Sequence, residues 1–337
     1  MAATIKDIAR ATGLSVATVS KFLNGANVRE KNRILLENAI REQDYHMNEY
    51  ARALKTNRSR TIGFVVPKFS DTFASGLASE AVTELRKNNY SLFVCESHNS
   101  MEGEQEAIEF LASKQVDGIM ATLIGSDGWC YKRIFDRYRI PVVLFDQKMN
   151  FDICDTVVID NAGTAYRSVK KLIDAGHRDI AIVRGPEGSY TADQRYEGYV
   201  RAMQEAKIPV RDELVLVVDY TDSNMYSQIK RLLSGKRRPT AVFAINYFTT
   251  MSTIMALNEL GIDIPRDMSI IGIDNYSLSQ IVKPHLWLAE QPLARMAEEG
   301  TRLLLERINS QGEQKEEVFH TVTLPTNIIE GESIQQI

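Results

Sequence analysis

The sequence predicts an α/β chain: an N-terminal all-α headpiece of the helix-turn-helix kind, then a two-lobed, doubly wound body. Three observations predict it. The first sixty residues hold short amphipathic helical segments and a turn glycine. From Thr61 onward, short apolar runs alternate with helical stretches, the mark of parallel sheets covered on both faces. Charge divides at the same place. Residues 1–60 carry eleven Lys/Arg against six Asp/Glu, a net of +5, so the remainder carries −9 of the chain's total of −4. A basic end on an acidic body suits a nucleic-acid headpiece on a ligand-binding body. With 337 residues, 44% of them hydrophobic, two or three domains with sizeable cores are expected.

The headpiece reads element by element. Thr4 and Asp7 have capping-box spacing, so a helix starts at about Ile5. Ile5, Ile8 and Ala9 give it one apolar face. Gly13 supplies the turn, and Ser15 caps the next helix. Val19, Phe22 and Leu23 pack that helix back on the first. Val16, Ala17, Ser20 and Lys21 then face outward, where a recognition helix meets base edges and phosphates. Asn24-Gly25 ends it. An ordinary helical hairpin has the same spacing. A third helix is expected from about Glu30 to Gln43, with Ile34, Leu35 and Ile40 inward.

A basic segment follows, from His46 to Arg60. Asn48 suits an N-cap and Glu49 the positive helix end. The helix they start ends near Lys55, and a helix below roughly 12 residues is marginal alone in water. A partner must therefore order it. Leu54, beside Arg52, Lys55 and Arg58, has the make-up of a minor-groove wedge. The alternative is a plain linker whose Leu54 packs on the body.

In the body, strands are expected at Thr61–Val66, Ser91–Cys95, Gly118–Thr122, Val142–Phe145, Val157–Ile159, Ile180–Val183, Leu214–Val218, Ala241–Ile245 and Ser269–Ile273. Helices are expected at 73–88, 102–114, 128–138, 161–175, 190–206, 223–234, 247–260 and 292–309. Two such blocks mean two lobes, and ligands of such sheets bind outside the carboxyl ends of the strands. Those ends carry Phe69, Asp71, Phe73, Asp146, Asp160, Asn246, Tyr247 and Asp274-Asn275-Tyr276, with Arg195 on a nearby helix. Carboxylates, amides and a guanidinium bridge vicinal hydroxyls, and aromatic faces stack on a ring. A polar, ring-shaped ligand fits this set. Asp and Asn also favour caps and turns for their own sake.

Catalytic signals are missing. No nucleophile elbow, phosphate loop, H-E-x-x-H or strand-borne G-x-G-x-x-G occurs, so neither catalytic residues nor a cofactor are expected. Five scattered histidines and three widely spaced cysteines, Cys95, Cys130 and Cys154, give no metal-ligand spacing. The cysteines are read as reduced core residues, and His177 as turn packing. No apolar run is long enough for a membrane span and the N-terminus lacks a secretory h-region, so a cytoplasmic location is expected.

Several motifs recur together: Thr4-Ile-Lys-Asp-Ile-Ala, Ser15-x-x-Thr-Val-Ser, Leu23-Asn24-Gly25 and Asn48-x-x-Ala51-Arg52-x-Leu54. To these are added Val116-Asp117-Gly118, Gly176-His177-Arg178, Arg195-x-x-Gly198, Arg238-Pro239-Thr240-Ala241 and Gly272-x-Asp274-Asn275. Together they make the chain resemble the lactose- and purine-repressor family of bacterial transcription regulators, over essentially its whole length. The resemblance implies a headpiece over 1–46, a hinge helix and linker over 47–60, and an effector-binding, dimerising domain over 61–337 with a periplasmic-binding-protein-like fold. Its N-lobe would comprise 61–161 with about 292–323, and its C-lobe about 162–289 with 324–337. The resemblance further implies a homodimer on a pseudo-palindromic DNA operator. The DNA contacts would come from Thr4, Lys6, Ser15, Val16, Ala17, Thr18, Ser20, Lys21 and Asn24, and in the hinge from Tyr50, Arg52, Leu54 and Lys55. Phe73, Asp146, Asp160, Arg195, Asn246 and Asp274 would line an effector cleft.

The chain departs from the family pattern in places. Met47 stands where the family usually has Pro, Arg29 replaces the usual Ser cap, and Tyr247 replaces a common Asp. Val16 and Ala17, small and apolar, leave thymine-methyl contact and Lys21 to read bases. No long heptad segment follows Ile328, so a dimer rather than a tetramer is expected. The expectation is a repressor controlled by a sugar or sugar derivative. A nucleoside, purine or phosphorylated effector remains open, as do a sugar receptor without a regulatory role and an enzyme.

Overall fold

The computed structural model describes residues 3–23, 26–45, 58–125, 127–219, 225–235, 238–274, 276–310 and 318–337, without the side chains of 274 and 276–278. The chain divides into two compact units, Met1–Arg60 and Thr61–Ile337.

The first unit holds α1 (Ile5–Thr12), α2 (Val16–Leu23) and α3 (Glu30–Glu42). The Thr4 backbone N–H donates to Asp7 Oδ2 at 2.9 Å, and the Thr4 hydroxyl to the same oxygen at 2.6 Å, fixing the first turn. Gly13 ends α1 at φ 68°, the left-handed conformation glycine adopts without strain. Ile8, Val19 and Leu36 form the sealed centre of the unit, with Phe22, Leu23 and Ile40 packed around it. Ile34 and Leu35, expected inward, lie 50% and 41% exposed. The run Ile34-Leu35-Leu36 offers three helical registers, and periodicity alone does not choose among them. Burial of Leu36 and Ala39 sets the register, turning its two predecessors out. Arg29 stands at the N-cap of α3 without a side-chain capping bond.

The second unit contains two six-stranded sheets. The first joins β1 (Thr61–Val66), β2 (Ser91–Glu96), β3 (Gly118–Ala121), β4 (Val142–Phe145), β5 (Asp155–Ile159) and β11 (Thr321–Leu324), in the order β11-β5-β4-β3-β1-β2. Around it lie α4 (Thr72–Lys87), α5 (Met101–Ser113), α6 (Gly128–Tyr138) and α12 (Leu293–Ser310). The second joins β6 (Ile180–Arg184), β7 (Val215–Val217), β8 (Ala241–Ala244), β9 (Ser269–Asp274), β10 (Trp287–Glu290) and β12 (Asn327–Ile329), in the order β12-β10-β9-β8-β6-β7. Its helices are α7 (Asn161–Asp174), α8 (Tyr190–Glu205), α9 (Met225–Leu233), α10 (Tyr247–Leu260) and α11 (Tyr276–Ile281). All pairings are parallel except β10 with β12.

The sequence reading missed β10, β11, β12 and α11. These elements span only three to six residues, too few for periodicity to register. The expected strand at Leu214–Val218 shrinks to Val215–Val217, because Leu214 closes a 3₁₀ turn. The cysteine reading also needs correction. Cys154 is buried, but Cys95 is only partly covered and Cys130 is exposed, on the first turn of α6. His177 is buried, its Nδ1 2.9 Å from Thr240 Oγ1.

The chain crosses between the sheets three times, after β5, after β10 and after β11. The first and third crossings are tied together. Asp160 N–H donates to Leu324 O at 2.9 Å, the Thr164 and Thr326 hydroxyls lie 2.7 Å apart, and Arg167 Nη2 donates to Thr326 Oγ1 at 3.0 Å. After the second crossing α12 returns to pack on β3, β4 and β5. It can do so because Gly300 leaves room for the Phe145 ring, which a Cβ at that position would overlap. Gly300→Ala should therefore destabilise the second unit by roughly 1–3 kcal/mol through forced movement of a buried ring. Urea denaturation measures this, and an unchanged midpoint would show that the ring has room to spare.

Candidate functional site

Two surfaces gather the residues singled out by sequence. The first lies on the headpiece. Ser15 Oγ accepts from Thr18 N–H at 3.2 Å and lies 2.9 Å from Thr18 Oγ1, which starts α2. Val16 and Ala17 on the first turn and Lys21 on the last are exposed, while Thr18 and Ser20 are half-buried. Val19 anchors the opposite side of the helix in the core. Thr4 and Lys6 are exposed at the start of α1. Asn24, Tyr50, Arg52, Leu54 and Lys55, and with them the expected hinge helix, lie outside the described residues.

The second surface is a cavity of about 230 Å³ where the carboxyl ends of both sheets meet. From the first sheet come the segment after β1, including Asp71 and Phe73, then Asn99 after β2, Ile124 after β3 and Asp146 after β4. From the second come Thr191 and Arg195 on α8, Asn246, Tyr247 and Phe248 after β8, Ile273 on β9 and Gln291 after β10.

Arg195 lines this cavity. It is 3% exposed. Its Nε donates to Asn161 Oδ1 at 2.8 Å and its Nη1 to Ile245 O at 2.6 Å. Its Nη2 lies 3.7 Å from Asp146 Oδ1, beyond hydrogen-bonding reach. Both of those atoms are buried and lack a hydrogen-bond partner, as does Gln291 Oε1. Asp146 has the left-handed φ of 54°, and a fifth of its side chain is open. Burial pushes its carboxyl up to about 6 against the pull of Arg195, with Asp71 adding repulsion. Burial also raises Asp71, whose carboxylate caps α4 by accepting from Phe73 N–H at 2.9 Å.

The cavity thus unites Phe73, Asp146, Arg195 and Asn246. Asn246 caps α10, its Oδ1 accepting from Thr249 N–H at 3.0 Å. Asp160 is not among the lining residues. It caps α7 by accepting from Gly163 N–H at 2.9 Å and pairs with Arg167 at 3.3 Å. At the crossing between lobes it has the capping role common to an Asp after a strand. Phe69 is exposed beside the cavity. The Asp274 side chain lies outside the described residues, although its neighbour Ile273 lines the cavity. Sequence reasoning missed Asn99 and Gln291. The strand-end rule finds both once β2 is extended to Glu96 and β10 is recognised.

This architecture has close parallels. Residues 4–48 match the lacI family of bacterial regulatory proteins, and residues 169–334 match the periplasmic binding protein-like domain. The HTH-type transcriptional repressor PurR of Pectobacterium carotovorum subsp. carotovorum is 32% identical over 334 residues, 98% of this chain and 97% of that protein. The chain belongs to the lacI family of bacterial regulatory proteins. It is a DNA-binding transcriptional repressor, in a family of regulators rather than enzymes. A LacI family transcriptional regulator from Enterococcus faecium, solved with bound ribose, is 26% identical with a TM-score of 0.71, covering 82% of this chain and 99% of that one. The lac repressor dimer, solved bound to operator and an anti-inducer, superimposes with a TM-score of 0.83 at 20% identity over 99% of this chain and 100% of that one, a likeness of fold. The helix-turn-helix headpiece and the two-lobed, periplasmic-binding-like α/β body expected from sequence are those of this lacI-family chain. Among its described residues no helix is long and apolar enough to cross a membrane.

The raised carboxyl at the cleft of this repressor has a measurable sign. The folded chain holds the Asp146 proton up to about pH 6, whereas the unfolded chain releases it near 3.8. Between those values the folded state binds the extra proton, so stability falls as pH rises through the window. In urea denaturation, the advantage of Asp146→Asn over wild type should grow between about pH 4 and pH 7 and then level off. A difference independent of pH would assign the carboxyl an ordinary affinity for protons.

Proposed function

We propose that this repressor is controlled by a small hydroxylated ring compound, a sugar or sugar derivative, bound in the cavity between its lobes. One observation carries the reading. A buried N–H donor of Arg195 and a buried acceptor of Asp146 lie 3.7 Å apart, an ion pair in which neither atom has a hydrogen-bond partner. A buried unpaired polar group is costly. A hydroxyl, which both accepts and donates, satisfies the two at once. Gln291 Oε1 offers a second unfilled acceptor on the same cavity, and Phe73 and Tyr247 offer faces for a ring. The Enterococcus faecium relative with bound ribose supports the same ligand class. A second reading, a nucleoside or purine, is favoured by the presence of three aromatic residues, Phe73, Tyr247 and Phe248, on one cavity. Each could stack on a base.

The proposal extends to DNA. Val16, Ala17 and Lys21 read base edges, while Thr4, Lys6, Ser15, Thr18 and Ser20 hold the backbone. The chain acts as a homodimer on a pseudo-palindromic operator in the cytoplasm. The ligand acts through its different affinity for two lobe arrangements, so its coupling to DNA is reciprocal.

A thermal-shift screen of sugars and nucleosides, followed by calorimetry, tests the cleft. Arg195→Ala should weaken the ligand found by about 1.5–3 kcal/mol, the worth of a hydrogen bond to a charged group. Operator affinity without ligand should stay within a few-fold. Normal ligand affinity in Arg195→Ala would place the site elsewhere. On DNA, Lys21→Ala should weaken specific binding by roughly 1–3 kcal/mol and non-specific binding much less. An unchanged specific-to-non-specific ratio in a gel shift at fixed salt would refute the recognition-helix assignment.

A further inference from the structure

Behind the first-sheet wall of the cavity lies a carboxylate with no cationic partner among the described residues. Glu104, on the first turn of α5, is completely buried. Its Oε1 accepts from Ile124 N–H at 2.6 Å, and its Oε2 accepts from the Tyr131 hydroxyl of α6. Gly125, next to Ile124, leaves space for that hydroxyl, which a Cβ would crowd. From the other side the buried Gln147 side chain donates through Nε2 to Gly125 O at 3.1 Å.

Each anchor of this network sits beside a cavity residue. Ile124 itself lines the cavity. Gln147 follows Asp146 directly. Glu104 lies one turn beyond Asn99 and the cap Ser100, whose Oγ accepts from Gly103 N–H at 3.0 Å. A buried carboxylate is costly in an apolar interior unless its hydrogen bonds are well made. Here it takes the place of any apolar side chain that would fill the same volume, and it joins three segments that no strand pairing joins at this level.

We propose that Glu104, with Tyr131 and Gln147, is a positioning device for the ligand site, holding Asn99, Ile124 and Asp146 in one register so that the cavity is shaped before a ligand arrives. The proposal rests on reading the cavity as the ligand site. Pre-organised groups bind more tightly because less ordering is left to do on binding. Glu104 touches no ligand itself and acts through the loop after β3.

The test uses the full chain and four variants, Glu104→Leu, Glu104→Gln, Tyr131→Phe and Gln147→Leu. Amide hydrogen exchange at Ile124 and Gly125 reports the brace without any ligand. Calorimetry with D-ribose, cellobiose and inosine as separate probes reports the site. Glu104→Leu should speed exchange at Ile124 by about tenfold or more, the cost of one charged hydrogen bond. It should also weaken whichever probe binds wild type by a similar factor. Glu104→Gln keeps an acceptor for Ile124 and should stay within about threefold of wild type in both readouts. Tyr131→Phe and Gln147→Leu should fall between, and they decide the matter if Glu104→Leu does not fold. Unchanged Ile124 exchange in Glu104→Leu, or in Tyr131→Phe and Gln147→Leu where Glu104→Leu does not fold, would overturn the brace. Faster exchange with unchanged affinity would overturn its role in the site. If none of the three probes binds wild type, the cleft reading loses support, and exchange at Ile124 still decides the brace.

Discussion

Arg195 is only 3% exposed and carries five N–H donors, and its position follows from the bonds that Nε and Nη1 make while Nη2 makes none. Nε goes to Asn161, the first residue of α7 after the chain crosses from the first sheet to the second. Nη1 goes to the carbonyl of Ile245 at the end of β8. Nη2 points toward Asp146, which belongs to the first sheet. One side chain therefore connects the crossing, the second sheet and the facing wall of the first. Asn161 Nδ2 in turn donates to Ile159 O at 3.3 Å, carrying the linkage back to the end of β5. Breaking the Nε or the Nη1 bond would leave a charged donor buried without compensation, at a cost of about 1–3 kcal/mol or more.

The crossings set what the lobes can do relative to one another. Asp160, Thr164, Arg167 and Thr326 bind the first and third crossings to each other. A change in lobe angle must then be absorbed by a few residues at these tied ends rather than by either sheet, because the sheets are packed cores that deform little. The Asp160 carboxylate serves a helix cap and an arginine at the crossing.

Much of the architecture was legible because its signals are local and strong. The capping pair Thr4 and Asp7, the turn at Gly13 and the apolar strands from Thr61 to Ser269 each depend on nearby residues alone. Arg195 and Asp146 could be named because the carboxyl ends of parallel strands are where such folds keep polar groups. The rest depended on tertiary partners. The register of α3 was settled by Leu36 and Ala39 against α1 and α2, and no pattern within the run Ile34-Leu35-Leu36 reveals it. β10, β11 and β12 are strands because neighbouring strands pair with them, β10 between β9 and β12, so Gln291 had no visible strand to follow. Glu104 looked like an ordinary acidic residue in a helix's first turn until Ile124 and Tyr131 were brought to it from 20 and 27 residues away.

The spacing at the centre of the cleft sets a condition on anything that occupies it. A direct Arg195–Asp146 hydrogen bond requires about 2.9 Å between nitrogen and oxygen, and the observed 3.7 Å falls short of it. The pair can be completed either by the lobes moving together or by a small polar group entering between them. A hydroxyl within about 2.9 Å of both atoms would bridge the pair at the observed spacing. A ligand that bridges one spacing better than another would thereby favour one lobe arrangement. Asp146 holds a left-handed φ of 54°, and its neighbour Gln147 donates to Gly125 O in the loop after β3, so the backbone that carries the carboxylate is tied to the wall of the first sheet.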